Sequence, residues 1–195
     1  MTEDLKKTFK NLRQDCHHKA RDTLGTKYIF EKKSIALSKR LKTISIVGAV
    51  GGFTVAILTS LPIFSSEPII SIISTVGAIV ALIQGIAYIW ILHDEPTSTL
   101  MMWSTIKNQN SFLHEDYSNL GKNPPPNFDD FKSQKTRLDG LHRGINTIEN
   151  QYPLTSSEER EALRHALYIL KQPCPICKIV PKSMKSSECD TCGNF

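Results

Sequence analysis

Five cysteines occur in this 195-residue chain, and four of them stand in two pairs near its end. Cys174-Pro-Ile-Cys177 is followed, after eleven residues, by Cys189-Asp-Thr-Cys192-Gly193. Thiolates are strong zinc ligands, and a two-residue interval lets one tight turn aim both sulfurs at the same ion. Two such turns complete a tetrahedral shell with metal–sulfur bonds of about 2.3 Å. The spacing predicts one structural Zn2+ per chain, held by Cys174, Cys177, Cys189 and Cys192 in a small ribbon over 174–193. Gly193 is expected to allow the backbone turn behind the second pair. A filled four-thiolate shell leaves no position for a reacting molecule, so the metal is expected to serve folding and not catalysis. An iron–sulfur cluster or thiol redox chemistry is the other use of this spacing. Cys16, His17 and His18 form a weaker cluster. Adjacent side chains on a helix diverge, so Cys16 reads as a packed thiol.

Basic residues surround the cysteine pairs. Lys178, Lys182 and Lys185 lie between them, and Arg137, Arg143, Arg160 and Arg164 lie in the segment before. Clustered cations attract phosphate, so these seven are candidate contacts to a nucleotide or a single-stranded nucleic acid. The net charge of −1 over residues 93–195 favours the plainer alternative, a ribbon that makes protein contacts only. No nucleophile–base arrangement, glycine-rich phosphate loop or paired-carboxylate motif appears. The chain is therefore not expected to be an enzyme.

The elements that would position these groups read as helices. Leu5, Phe9, Leu12, Cys16, Ala20 and Leu24 recur at spacings of three and four over residues 3–24. Gly25 is expected to interrupt, and a second basic helix is expected over Tyr28 to Lys42. Packing against other helices is favoured over lying on anionic lipid, because the stripe is modest and lacks Trp. A further helix is predicted from Thr97 to about Leu120, followed by a stiff linker with prolines at 124–126. Phe131, Leu138, Leu141, Ile145 and Ile148 mark an apolar face over Asp129 to Asn150, weakened by Gly140. Ser156 and Glu159 form a capping-box pattern for a last helix to Lys171. Strands are scarce outside the last twenty residues. Overall composition, 40% hydrophobic with a net charge of +5, excludes collagen-like, disulfide-dense and fully disordered chains.

Hydrophobicity is unevenly distributed. Ile44 to Phe64 and Ile69 to Leu92 are uncharged runs of 21 and 24 residues, separated by Ser65, Ser66, Glu67 and Pro68. Each exceeds the ~18 residues that suggest a membrane-crossing helix. The first run begins behind a charged segment, which argues against a signal peptide. Residues 1–43 carry a net +7, so the positive-inside rule predicts both termini in the cytoplasm. Small residues, Gly48, Gly52, Ala56 and Thr59 in the first run and Ser74, Ala78, Ala81 and Gly85 in the second, allow close helix packing. They, with Gln84, are candidates for a packing face or pore lining, and Asp94 and Glu95 for a pore mouth. A single hairpin cannot enclose water, so a pore would need an oligomer, a tetramer or larger, embedded in membrane lipid.

The expected fold is thus mostly α. It comprises basic helices over 1–43, a transmembrane hairpin over 44–96 with spans 44–64 and 69–92, a helix and linker over 97–123, and a helical cap with a zinc ribbon over 124–195. The basic lead-in to Lys42, the compact hairpin and the helical segment after it resemble SLATT-type two-transmembrane effectors of bacterial conflict systems. The CxxC-x11-CxxC tail is similar to that of mobile-element-borne proteins described by this pattern. The combination implies an anti-phage effector of the bacterial inner membrane. It further implies a channel gated by a nucleotide or oligonucleotide from a nucleotidyltransferase partner, bound by the C-terminal cap. The alternative from the residues is a non-conducting, membrane-anchored scaffold whose zinc ribbon recruits a protein. A ligand-independent membrane toxin is a third.

Overall fold

The computed structural model describes residues 3–60, 75–83, 85–86, 89 and 96–195, with 48–60 described as backbone alone. The helices are α1 (Glu3–Ser60), α2 (Pro96–Lys122), α3 (Phe128–Glu149) and α4 (Ser156–Leu170), and residues 75–83 are also helical. No strand occurs among the described residues, the last twenty included. The chain divides into two compact units, Met1–Lys33 with Met102–Phe195, and Ser34–Met101.

The first unit is a helical bundle closed by the cysteine-rich tail. The stripe read on α1 faces inward. Cys16 and Ala20 are buried with Leu113, Tyr117 and Leu120 of α2 and Phe131, Leu138 and Ile145 of α3, and Phe9 and Leu12 pack against them. Burying such side chains stabilises by about 1.5–3 kcal/mol each, and supplies what helix propensity alone lacks. Leu141 departs from its predicted face and is exposed.

Helix starts follow local chemistry. The Asn127 side chain accepts from the Asp129 backbone N–H at 3.0 Å, and acidic Asp129 and Asp130 fill the first turn of α3. At α4 the capping box is Thr155 with Glu158, one residue before the predicted pair. The run Thr155-Ser156-Ser157-Glu158-Glu159 contains the pattern in two registers, and backbone geometry selects the first. Arg13 on α1 donates to the Gly121 carbonyl at 2.6 Å, satisfying an end carbonyl of α2.

The predicted break at Gly25 is absent, and α1 runs through it. A Cβ there would lie 2.8 Å from the Ala162 carbonyl oxygen of α4. The glycine serves close helix approach instead of a turn. Tyr28 and Lys32, one and two turns on, reach Glu161 at 3.0 and 2.6 Å, and Lys33 reaches Glu158 at 2.9 Å.

The expected transmembrane hairpin is not supported. Among the described residues, no helix is long and apolar enough to cross a membrane. The first apolar run continues α1, which begins at Glu3 and carries 17 charged residues from Glu3 to Lys42. The multi-pass inner-membrane placement and the orientation deduced from it fall with the hairpin. Of the packing and pore candidates, Ser74, Gln84, Asp94 and Glu95 lie outside the described residues, as do the side chains of Gly48, Gly52, Ala56 and Thr59. Ala78, Ala81 and Gly85 are exposed, and a Cβ on Gly85 would meet nothing within 4 Å among the described residues.

Candidate metal centre

The end of α4 sets the first ligand. Lys171 takes the left-handed conformation, φ 52°, and its backbone N–H returns to the Leu167 carbonyl. This C-cap turns the chain so that Cys174 comes back under the helix. Cys174 and Cys192 are buried with Leu167, and Leu163, Cys177 and Cys189 pack against them. The four sulfurs lie within 4.8 Å of one another, with Cys177 and Cys192 at 3.8 Å. Bonds of about 2.3 Å to a tetrahedral metal require sulfurs about 3.8 Å apart, so the cluster fits such an ion with little movement. All five cysteines are free thiols. Cys16 is apart from this cluster, in the helical core, where burial pushes its thiol up to about 11.

Each pair sits on a tight turn. In the first, the Lys178 N–H donates to the Cys174 carbonyl, and the Cys174 N–H to the Ile179 carbonyl, both at 3.0 Å. Lys178 holds a left-handed φ of 59° there, a place where glycine is the commoner residue. In the second, the Gly193 and Asn194 N–H groups donate to the Cys189 carbonyl at 2.8 and 3.0 Å. Gly193 does not have positive φ. Its role is space: a Cβ would fall 2.0 Å from Ser187 Oγ and 2.6 Å from the Ser187 carbonyl oxygen. The backbone N–H groups of Thr191 and Cys192 lower the Cys189 thiol to about 6, whereas burial raises Cys192.

Arg164 anchors the tail to α4. Its Nε donates to the Ser183 carbonyl at 2.9 Å, and its Nη1 to Ser187 Oγ at 3.0 Å and the Cys192 carbonyl at 3.1 Å. The guanidinium is thus committed to the ribbon. The other six basic candidates are dispersed. Lys178, Lys182 and Lys185 are exposed on the tail, and Lys178 Nζ donates to the Pro175 carbonyl. Arg137 is exposed and lines a groove of about 550 Å³ between α2 and α3 with Asp116, Asn119 and Gln134. Arg143 is exposed, with Nε 3.4 Å from the Asp139 carbonyl. Arg160 is partly buried, and its Nε finds no partner among the described residues. Of the seven, the structure brings Arg164 and Lys182 to one cleft, which Cys177, Cys189 and Cys192 also line, so that it is the space at the thiol cluster itself.

A second polar cluster escaped the sequence reading. Lys135 Nζ bridges Asp15 at 2.6 Å and Asp139 at 2.7 Å, Lys19 reaches Asp139 at 2.6 Å, and the Tyr117 hydroxyl donates to Asp139 at 2.8 Å. Burial would raise the Asp139 carboxyl, but hydrogen bonds from Lys135, Lys19 and Tyr117 outweigh it and hold it at about 2. Tyr117 moves up through burial and its bond to Asp139. The lysine–aspartate spacing of four on α3 was the available signal. The cluster joins α1, α2 and α3, and its groups satisfy one another.

A protein-family model described as Mobilome CxxCx(11)CxxC protein matches residues 13–195. That match carries the cysteine tail and does not extend to the SLATT likeness. No curated protein and no solved structure matches the chain significantly.

Proposed function

The chain belongs to the mobilome CxxCx(11)CxxC protein family, and from that premise we propose that it is a non-catalytic adaptor. A structural zinc ion on Cys174, Cys177, Cys189 and Cys192 holds the tail rigid, and the tail recruits a protein partner. Zinc suits four thiolates in a closed tetrahedral shell, and such a shell is structural. The observation that carries the reading is at the first turn. Ile176 is 68% exposed and Ile179 is 65% exposed, on a segment pinned by Cys174, Cys177 and the cap of α4. Neighbouring large apolar side chains held outward on a rigid support mark a contact surface.

A second reading has its own support. Lys178, Lys182 and Lys185 are exposed, and no acidic side chain pairs with them among the described residues. A nucleotide or oligonucleotide would use them. It is the weaker reading because Arg164 is committed to the tail and Arg137 lines a separate groove.

Photo-crosslinking separates the two. Ile176 is replaced by benzoyl-phenylalanine in the full chain, in its native cells, and zinc content is measured beside it. Discrete protein adducts that disappear on Ile179→Ser support the adaptor. Adducts to nucleic acid alone, at one zinc per chain, would replace it with the second reading.

A further inference from the structure

His17 and His18 line a pocket of about 400 Å³ together with Gln14 and Arg21. These positions recur at spacings of three and four, so they share one face of α1. The other wall is Gln172, Pro173 and Pro175, the segment that carries Cys174 away from α4. Gly121 of α2 makes room for the arrangement, since a Cβ there would stand 3.0–3.3 Å from three atoms of the His17 ring. The charge around the pocket is one-sided. Burial lowers the His17 pKa, as do Arg13, Lys122 and His18, and only the Gly121 carbonyl acts the other way. Among the described residues no acidic side chain pairs with Arg13, His17, His18 or Lys122. Arg21 donates from Nε and Nη2 to one oxygen of Asp22, at 3.2 and 3.1 Å, and its Nη1 has no protein partner among the described residues. The C-terminal end of α2 would repel an anion, but Arg13 donates to the Gly121 and Lys122 carbonyls at 2.6 and 3.4 Å and covers it.

We propose that this pocket binds a small organic phosphate monoester. The phosphate takes the open Nη1 of Arg21 and ring N–H groups of His17 and His18, and the Gln14 and Gln172 amides supply further donors. Charge-assisted bonds of this kind are about twice as strong as neutral ones. The like charges of Arg13, His18, Arg21 and Lys122 repel one another around an empty pocket, and a dianion among them relieves that repulsion. A bare phosphate leaves most of the pocket unfilled, whereas small molecules occupy pockets of about 300–1,000 Å³. Pro173 and Pro175 give the organic body an apolar wall. Because α1 forms one wall and the entry to the cysteine tail the other, the ligand ties that entry to the bundle. The proposal holds whether or not the tail recruits a protein.

The test is nuclear magnetic resonance of the zinc-loaded full chain with labelled histidine rings. It is titrated at constant pH and ionic strength with glycerol phosphate, inorganic phosphate and glycerol. The expected result is saturable movement of the His17 and His18 signals by glycerol phosphate, weaker binding of inorganic phosphate, and no response to glycerol. His18→Gln/Arg21→Gln should weaken glycerol phosphate about tenfold or more. Gln172→Glu, which places an acid on the opposite wall and leaves α1 intact, should weaken it too. Lys178→Ser/Lys182→Ser/Lys185→Ser should leave it unchanged, and bound ligand should slow proteolysis after Lys171. No saturation at millimolar glycerol phosphate, or an affinity untouched by both pocket variants, overturns the proposal. Inorganic phosphate bound as tightly as glycerol phosphate makes this an adventitious ion only. Ring signals that move with oligothymidylate and not with glycerol phosphate overturn it in favour of a nucleic-acid backbone.

Discussion

Arg164 directs three hydrogen bonds into the tail, two of them to backbone carbonyls. A bifurcated donor set of this kind needs a planar guanidinium, and lysine cannot reproduce it. Arg164→Ala leaves the Ser183 and Cys192 carbonyls without their donor, at a cost of about 1–3 kcal/mol for each group that stays buried. The loss falls on the tail and not on the bundle, because Leu167, Cys174 and Cys192 form their own buried cluster. Expected are faster proteolysis after Lys171 and easier removal of zinc by a chelator, with helix content unchanged. Arg164→Lys should recover only part of this. A tail that resists protease as well as the parent would show the anchor to be idle. It would also reopen Arg164 as a ligand contact.

Two glycines show how an element decides the sign of one substitution. Gly25 and Gly140 both lie inside helices, where alanine is intrinsically better by about 1 kcal/mol. At Gly140 a Cβ meets nothing within 4 Å among the described residues, so Gly140→Ala should raise the unfolding midpoint. At Gly25 the Cβ meets the backbone of Ala162, which cannot swing aside, so Gly25→Ala should lower it by overpacking α1 on α4. Thermal unfolding of both variants reads the pair, and the same sign for both would refute the close approach. The polar cluster adds a pH dependence at this scale. Asp139 titrates near 2 when folded and near 3.9 when unfolded, so it is depressed. Its contribution is present above about pH 4 and is lost as pH falls toward 2. Asp15 is lowered by Lys135 and Lys19 against the opposing effect of burial, and acts in the same direction. Glu149, raised by burial, has the reverse slope around and above its ordinary range. Denaturant unfolding of the parent and Asp139→Asn should therefore differ widely at neutral pH and converge near pH 2. Parallel curves down to that pH would remove Asp139 from the acid response.

At the scale of the whole chain, what could be read from sequence tracks how local each cause is. The four thiols were legible because their ligand geometry is set within two short turns. The stripe on α1 was legible because periodicity is local too. The anchoring of the tail by Arg164 was not legible because its partners lie 19 to 28 residues away, and the Lys19–Asp139 bond spans 120 residues. Gly25 was misread because only Ala162, far along the chain, explains it. The membrane hairpin was inferred from run length alone, which carries no information about where α1 begins. One consequence of this organisation concerns metal removal. The bundle core of Cys16, Leu113, Tyr117 and Phe131 is a separate buried cluster from that around the thiols. No strand supports residues 171–195, so on the proposed reading a zinc ion on the four thiols would supply much of the free energy that orders them. A strong chelator should then release residues 171–195 to protease while far-ultraviolet circular dichroism keeps its helical signal. The same release should occur without chelator as acid protonates the thiolates, and readdition of zinc at neutral pH should reverse it. Loss of the helical signal together with the tail would show the two clusters to be one cooperative unit. An ordered tail without metal would remove the structural role from the four cysteines.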